Sequence, residues 1–242
     1  MLHIRGGAPP QLDLSGGPRE AAGTGGLYAT TTIATILLAL AAVAAVVDWY
    51  AVAVQRKPVE YVCKPLTLAL LIGVALAVHP AYESRRSAFV VALVLSLLGD
   101  VFLMLRRDMF AFGLASFLLA HIAYVVGLRN GPSNTAALLV ASVGVVVLAV
   151  TVGSRVLRGV IATGHQELTS PVVAYMAVLA AMFACALATL NPLAGLGAGL
   201  FFCSDAVLAW NRFVRPLRWG PPAVIVSYHL GQAFLVLSLL RR

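Results

Sequence analysis

Apolar residues recur in eight long windows, 27–47, 65–79, 87–105, 109–128, 135–153, 171–190, 193–210 and 222–240. Most hold 18–21 residues, enough for a helix to cross about 30 Å of hydrocarbon. Connections are brief and rich in breakers, such as NGPSN (130–134), NP (191–192) and GPP (220–222). The longest, 154–170, leaves no room for an inserted soluble domain. The second window reaches spanning length only by starting near Tyr61, which puts Lys64 at a helix start, its ammonium snorkelling to the interface. The pattern predicts an all-α, polytopic membrane helix bundle of about eight transmembrane helices, occupying 27–242. Residues 1–26 are rich in Gly and Pro without apolar periodicity and read as a flexible tail. The tail lacks the apolar core of a secretory signal, so the first span is expected to direct insertion.

Composition supports this class. Hydrophobic residues make up 61% and charged residues 11%, against about 25% charged in soluble domains, and the mean hydropathy is +0.94. A net charge of +8 suggests nucleic acid at first sight. Lys and Arg fall almost entirely between the windows, however, as membrane-flanking charge does, which argues against a nucleic-acid partner. Cys63, Cys185 and Cys203 form no CxxC pair and read as small packing residues. Eight spans put both tails on one side. Ten of the 17 Lys and Arg residues then fall in or beside loops 1–2, 3–4, 5–6 and 7–8, which assigns those loops to the cytoplasm of a cell membrane.

Two carboxylates break the apolar pattern, Asp100 in window three and Asp205 in window seven. Each costs roughly 2.5–3.5 kcal/mol to insert and persists only facing a partner or a polar cavity. Windows three and seven run in one direction, and each aspartate precedes its window's end by five residues, so both are expected about 8 Å below one interface. Windows four and eight return from that interface carrying His121, Tyr124, Tyr228, His229 and Gln232, while Asp48, Lys64 and Asn211 face the same side. The polar groups thus gather in the more basic half of the membrane. GDVFLMLRR (99–107) also aligns with SDAVLAWNR (204–212), matching Asp100 with Asp205 and Arg107 with Arg212, as a parallel 4+4 pseudo-repeat would.

Two neighbouring carboxylates in low dielectric do not both ionise easily, which suits one as a general acid and the other as a base or charge stabiliser. His121 and His229 fit proton shuttling, metal ligation or helix packing, and no HExxH-type spacing marks a metal site. Tyr228 and Gln232, four apart, share a helix face, as do Phe117, His121 and Tyr124. Lys64 and the surface arginines suit an anionic headgroup phosphate. Gly195, Gly197 and Gly199 allow close helix approach.

The motifs CKPL (63–66), LLGDVFL (97–103), FLLAHIAY (117–124), FCSDAVLAWNRF (202–213) and YHLGQAFL (228–235) resemble, in order and spacing, the YhhN-like lysoplasmalogenase family of membrane proteins. The resemblance implies hydrolysis of the vinyl ether of a lysophospholipid, giving a fatty aldehyde and a glycerophospho headgroup, without an organic cofactor. It puts the family's polar residues at Lys64, Asp100, His121, Ser204, Asp205, Tyr228 and Gln232. Combined with the pattern, the catalytic expectation is Asp100 and Asp205. The substrate-binding expectation is Lys64, His121, Tyr124, Ser204, Asn211, Tyr228, His229 and Gln232, with no metal. Membrane lipids are the surrounding partner, and nothing in the pattern specifies an oligomeric state. Paired halves with intramembrane carboxylates also fit a proton-coupled lysolipid transporter or flippase, and a lipid-binding structural protein is the third class.

Overall fold

A computed structural model describes residues 32–105 and 109–240. The glycine-rich tail 1–26, the start of the first window, Arg106 and Arg107 lie outside the described residues. Eight helices follow one another: α1 (Thr32–Ala53), α2 (Lys57–Ala77), α3 (Glu83–Met104), α4 (Phe110–Arg129), α5 (Thr135–Ala162), α6 (Thr169–Ala188), α7 (Pro192–Phe213) and α8 (Gly220–Leu237). All eight are long and apolar enough to cross a membrane, so the chain is a multi-pass membrane protein.

The breakers act as the sequence implies. Asn134 ends the NGPSN turn and caps α5, its side chain accepting the Ala137 N–H at 2.8 Å. Asn191 caps α7 by accepting from Leu193 at 3.0 Å, with Pro192 in the first helical turn, where its missing N–H costs nothing. Leu190 before it takes φ 54°, the left-handed conformation that turns the chain from α6 into α7.

Several boundaries differ from the apolar windows. α2 begins at Lys57, so Lys64 sits two turns inside a helix rather than at its start. Pro65 lies within α2 and removes one rung of its ladder beside Lys64. α5 continues to Ala162, which takes Arg155 and Arg158 out of a loop and leaves a short link containing one 3-10 turn, Gln166–Leu168. α3 ends four residues after Asp100 and α7 eight after Asp205. The aspartates are therefore about 6 Å and 12 Å along the axis from the ends of their helices.

Seven helices close a circuit in the order α1, α2, α3, α4, α6, α7, α8 and back to α1, with α8 also against α2. α5 lies outside, against α6 and α7. Only 11% of its apolar stretch is buried, against 28–50% in the other helices. The halves thus differ in how their first helices pack, and the 4+4 repeat rests on the two aspartate motifs alone.

Close approach is concentrated where α7 crosses α8. A Cβ on Gly197 would come within 2.8 Å of the Leu235 nitrogen and 2.9 Å of the Gly231 carbonyl. That contact requires glycine, whereas Gly195 and Gly199 face only side chains of α6. Arg85, read from sequence as flanking charge, is buried instead. It donates to the carbonyls of Gly127 and Leu128 at 3.2 and 3.4 Å, closing the C-terminal end of α4.

Candidate active site within the membrane

Asp100 is held by two helices besides its own. Lys64 on α2 brings its Nζ 2.8 Å from Oδ1, and the Tyr228 hydroxyl on α8 donates to Oδ2 at 2.7 Å. Asp100 is 1% exposed and Lys64 14%, so this ion pair lies in the protein interior. The ammonium also stands 5.7 Å from the centre of the Tyr228 ring.

Asp205 has a different environment. Tyr175 on α6 donates its hydroxyl proton to Oδ2 at 2.5 Å, and Nε2 of His121 on α4 stands 3.5 Å from the same oxygen without hydrogen-bond alignment. The histidine ring is fully buried and meets Tyr175 and Phe201 edge-on, at 5.1 and 4.7 Å between centres. Neither of its nitrogens has a hydrogen-bond partner among the described residues.

Phe201, one turn before Asp205 on α7 and fully buried, joins the two groups. Its ring lies 5.3 Å from Tyr228, the partner of Asp100, and 4.7 Å from His121, the neighbour of Asp205. Phe117 closes the same cluster, 5.9 Å from Tyr228. Tyr124, further along the α4 face, donates its hydroxyl to Gln232 Oε1 on α8. The i, i+4 spacings seen in the sequence, Phe117 with His121 and Tyr228 with Gln232, thus point inward to one centre.

Beside Asp205 opens a narrow apolar cavity bounded by α3, α4, α5, α6 and α7, with a volume of about 60 Å³. Leu103, Phe117, Val156, Leu179 and Phe202 are among its lining residues, and the polar side chains on its wall are Asp205 and Tyr175. Asp100 is outside that wall, and Leu103 and Phe117 stand on its side of the cavity.

Three predicted residues go elsewhere. The Ser204 hydroxyl donates to the Val224 carbonyl at 3.0 Å and ties α7 to α8. Asn211 accepts the Leu217 N–H at 2.9 Å and shapes the α7–α8 turn. His229 faces α1, where its Nδ1 accepts from Trp49 Nε1 at 3.2 Å and its Nε2 stands 4.0 Å from Asp48. Arg212, the arginine of the second pseudo-repeat motif, lies 5.0 Å over the Phe110 ring. Its counterpart Arg107 is outside the described residues.

Sequence reasoning missed Asp48, Tyr175 and Phe201 as members of the interior. Asp48 is fully buried in α1, and neither carboxylate oxygen has a hydrogen-bond partner among the described residues. The signal was present, since extending the first window from 47 to the helix end at Ala53 puts a third carboxylate inside a span. Tyr175 and Phe201 carried no signal that separates them from ordinary membrane aromatics. Among the described residues, no three His, Cys, Asp or Glu side chains are grouped so as to hold a metal ion.

Comparison with known proteins agrees with the motifs. Human lysoplasmalogenase TMEM86B is 33% identical over 150 residues, 62% of this chain and 62% of that protein. The chain thus spans somewhat less than two thirds of that relative. Lysoplasmalogenase TMEM86B of Rattus norvegicus is 31% identical over 74% of this chain and 71% of that protein. The lysoplasmalogenase of Mycobacterium tuberculosis (strain CDC 1551 / Oshkosh) is 32% identical over 69% and 68%. No solved structure gives a significant match. The YhhN family profile matches residues 59–239, a stretch that holds Lys64, both predicted catalytic aspartates and helices α3 to α8. On that match, this eight-helix membrane protein belongs to the YhhN family.

Proposed function

We propose that the chain is a membrane-embedded hydrolase that cleaves the vinyl ether bond of a lysoplasmalogen or related lysolipid, releasing a fatty aldehyde and a glycerophospho headgroup. The observation that carries this reading is the division of labour between two buried aspartates. One is compensated by Lys64, and the other stands with Tyr175 on the wall of an apolar cavity. The names of the mammalian and mycobacterial relatives support the choice of bond.

Hydrolysis of a vinyl ether begins with proton transfer to the β-carbon, which leaves an oxocarbenium ion. Water adds to the adjacent carbon, and the hemiacetal collapses to aldehyde and alcohol. Asp205 is the proton donor in this reading, because it borders the space an alkyl chain would fill, and a positioned acid is worth roughly 10²–10⁴ in rate. Tyr175 fixes its carboxyl. Asp100, its charge set by Lys64, stabilises the cation or orients water, as the second carboxylate does in glycoside hydrolysis. Tyr228 connects Asp100 to the aromatic cluster that separates the two acids. Lys64 and the arginines around the same membrane face receive the phosphate. The site belongs in this reading to the cytoplasmic half of the cell membrane, the side of the more basic loops. In this reading the hydrolase is one domain, 27–242.

The test uses purified protein with lysoplasmalogen, without any gradient, and mass detection of the aldehyde. Asp100→Asn and Asp205→Asn, in protein that still inserts and folds, should each abolish release. Near-normal turnover in both variants sinks the mechanism. Labelled lipid crossing a liposome with no product would replace hydrolysis by transport.

A further inference from the structure

The apolar cavity beside Asp205 is bounded toward α5 and α6 by Met176. On its other side Met176 lines a second, outer groove between α5 and α6, with a volume of about 550 Å³ and walls that include Ala149, Gly153, Val173 and Ala177. Met176 alone borders both spaces among the described residues. Its thioether rests over Gly153, where any Cβ would collide with it. An unbranched side chain with three rotatable bonds therefore stands where the two spaces adjoin, and it can swing without moving backbone.

From this continuity we infer that the α5–α6 groove is the lateral port through which the alkyl chain of a single-chain lipid enters from the bilayer, with Met176 as its gate. The inference rests on the hydrolase reading above and adds the route and the residue that selects the chain. The groove faces lipid, since Val150 and Val173 on its rim are 64% and 46% exposed. Small residues keep it open, Ala149 and Gly153 along its floor and the exposed Ala177 at its mouth. The outer wall of the groove, α5, is the helix with the least of its apolar stretch buried. A helix of a second protein, about 10 Å across, could cover the groove but could not continue past Met176, whereas an alkyl chain can do both.

The experiment uses the full chain in nanodiscs and a lysophospholipid carrying a photoactivatable diazirine at mid-chain, with the labelled peptides mapped by mass spectrometry. Label is expected on the Val173–Ala177 turn and on Met176. Ala177→Trp fills the lipid-facing mouth of the groove. It should reduce that label and raise KM about tenfold at unchanged kcat, the pattern of hindered access rather than damaged chemistry. Val143→Trp, on the 68% exposed face of α5 outside the groove, is the control and should change neither. Met176→Ala should admit chains with a mid-chain branch that the unaltered protein rejects. Label spread evenly over all lipid-facing helices, protein–protein cross-links in place of lipid label, or an Ala177→Trp variant indistinguishable from Val143→Trp would overturn the port. Labelling needs no turnover. Groove label without aldehyde therefore supports the port while refuting the hydrolase, and aldehyde with an unaffected Ala177→Trp does the reverse.

Discussion

Replacing Lys64 by Met keeps the length of the side chain and removes its charge. Asp100, 1% exposed, is then left with one neutral donor, the Tyr228 hydroxyl. Removing one member of a buried ion pair costs about 3–5 kcal/mol, because the other charge stays behind without solvent. Lys64 retains 14% exposure, so some water reaches the pair and the lower end, about 3 kcal/mol, applies here. For a chain of this size that is a fall of roughly 6–12 °C in midpoint. Asp100→Asn alone should cost less, because the ammonium on its flexible stem can turn toward the interface. The double variant Lys64→Met/Asp100→Asn removes both charges and should recover most of the loss, with a coupling of about 2–3 kcal/mol. Unfolding of purified protein in mixed micelles measures all four corners of the cycle, independently of any activity. If the two single effects simply add to within ~0.5 kcal/mol, the pair is not the buried unit described and its role beside Asp100 fails with it.

Tyr175→Phe should leave the fold intact and lower kcat roughly 10–100-fold, the worth of one orienting hydrogen bond to a buried carboxyl, as measured by aldehyde release at saturating lipid. Arg85→Met strips the donors from the Gly127 and Leu128 carbonyls and should destabilise the protein by about 1–3 kcal/mol while barely altering KM, since it lies at the opposite membrane face. Gly197→Val forces α7 away from α8, and a thermal scan should show a loss of about 1–3 kcal/mol, larger than for the same change at Gly199.

The architecture was readable because apolar runs of spanning length have few meanings, and because NP, GPP and NGPSN end helices for reasons that act locally. Window edges were less readable. Polar residues such as Lys57, Arg155 and Arg158 look like loop signals, yet a helix continues past the hydrocarbon edge wherever its backbone bonds are satisfied. Asp100 and Asp205 announced themselves by cost alone. Lys64, Tyr228 and His121 were expected in the same half of the membrane, whereas Tyr175 carried no signal until the helices around it were known. Asn211 and Ser204 sit in a different setting. Both match a family motif, and both have their polar atoms engaged in local or interhelix bonds.

The eighth helix reaches back across the chain. Its Tyr228 serves Asp100, 128 residues earlier, its Gln232 meets Tyr124, 108 earlier, and its His229 meets Trp49, 180 earlier. During synthesis at about 5–20 residues per second, Asp100 would wait roughly 6–26 s for its tyrosine after leaving the ribosome. Lys64 reaches it long before, on the preceding helix, so the charge is answered while the chain is still growing. Asp48 lies in the field of Lys64 on the same hairpin, but neither of its oxygens has a hydrogen-bond partner among the described residues. It enters the bilayer in the first hairpin and meets the His229 ring only when the last helix docks. Biogenesis of this protein should therefore be most fragile at its two ends. Deleting α8 would leave Asp48 without its histidine and Asp100 with Lys64 alone, and the truncated chain becomes a natural substrate for membrane quality control.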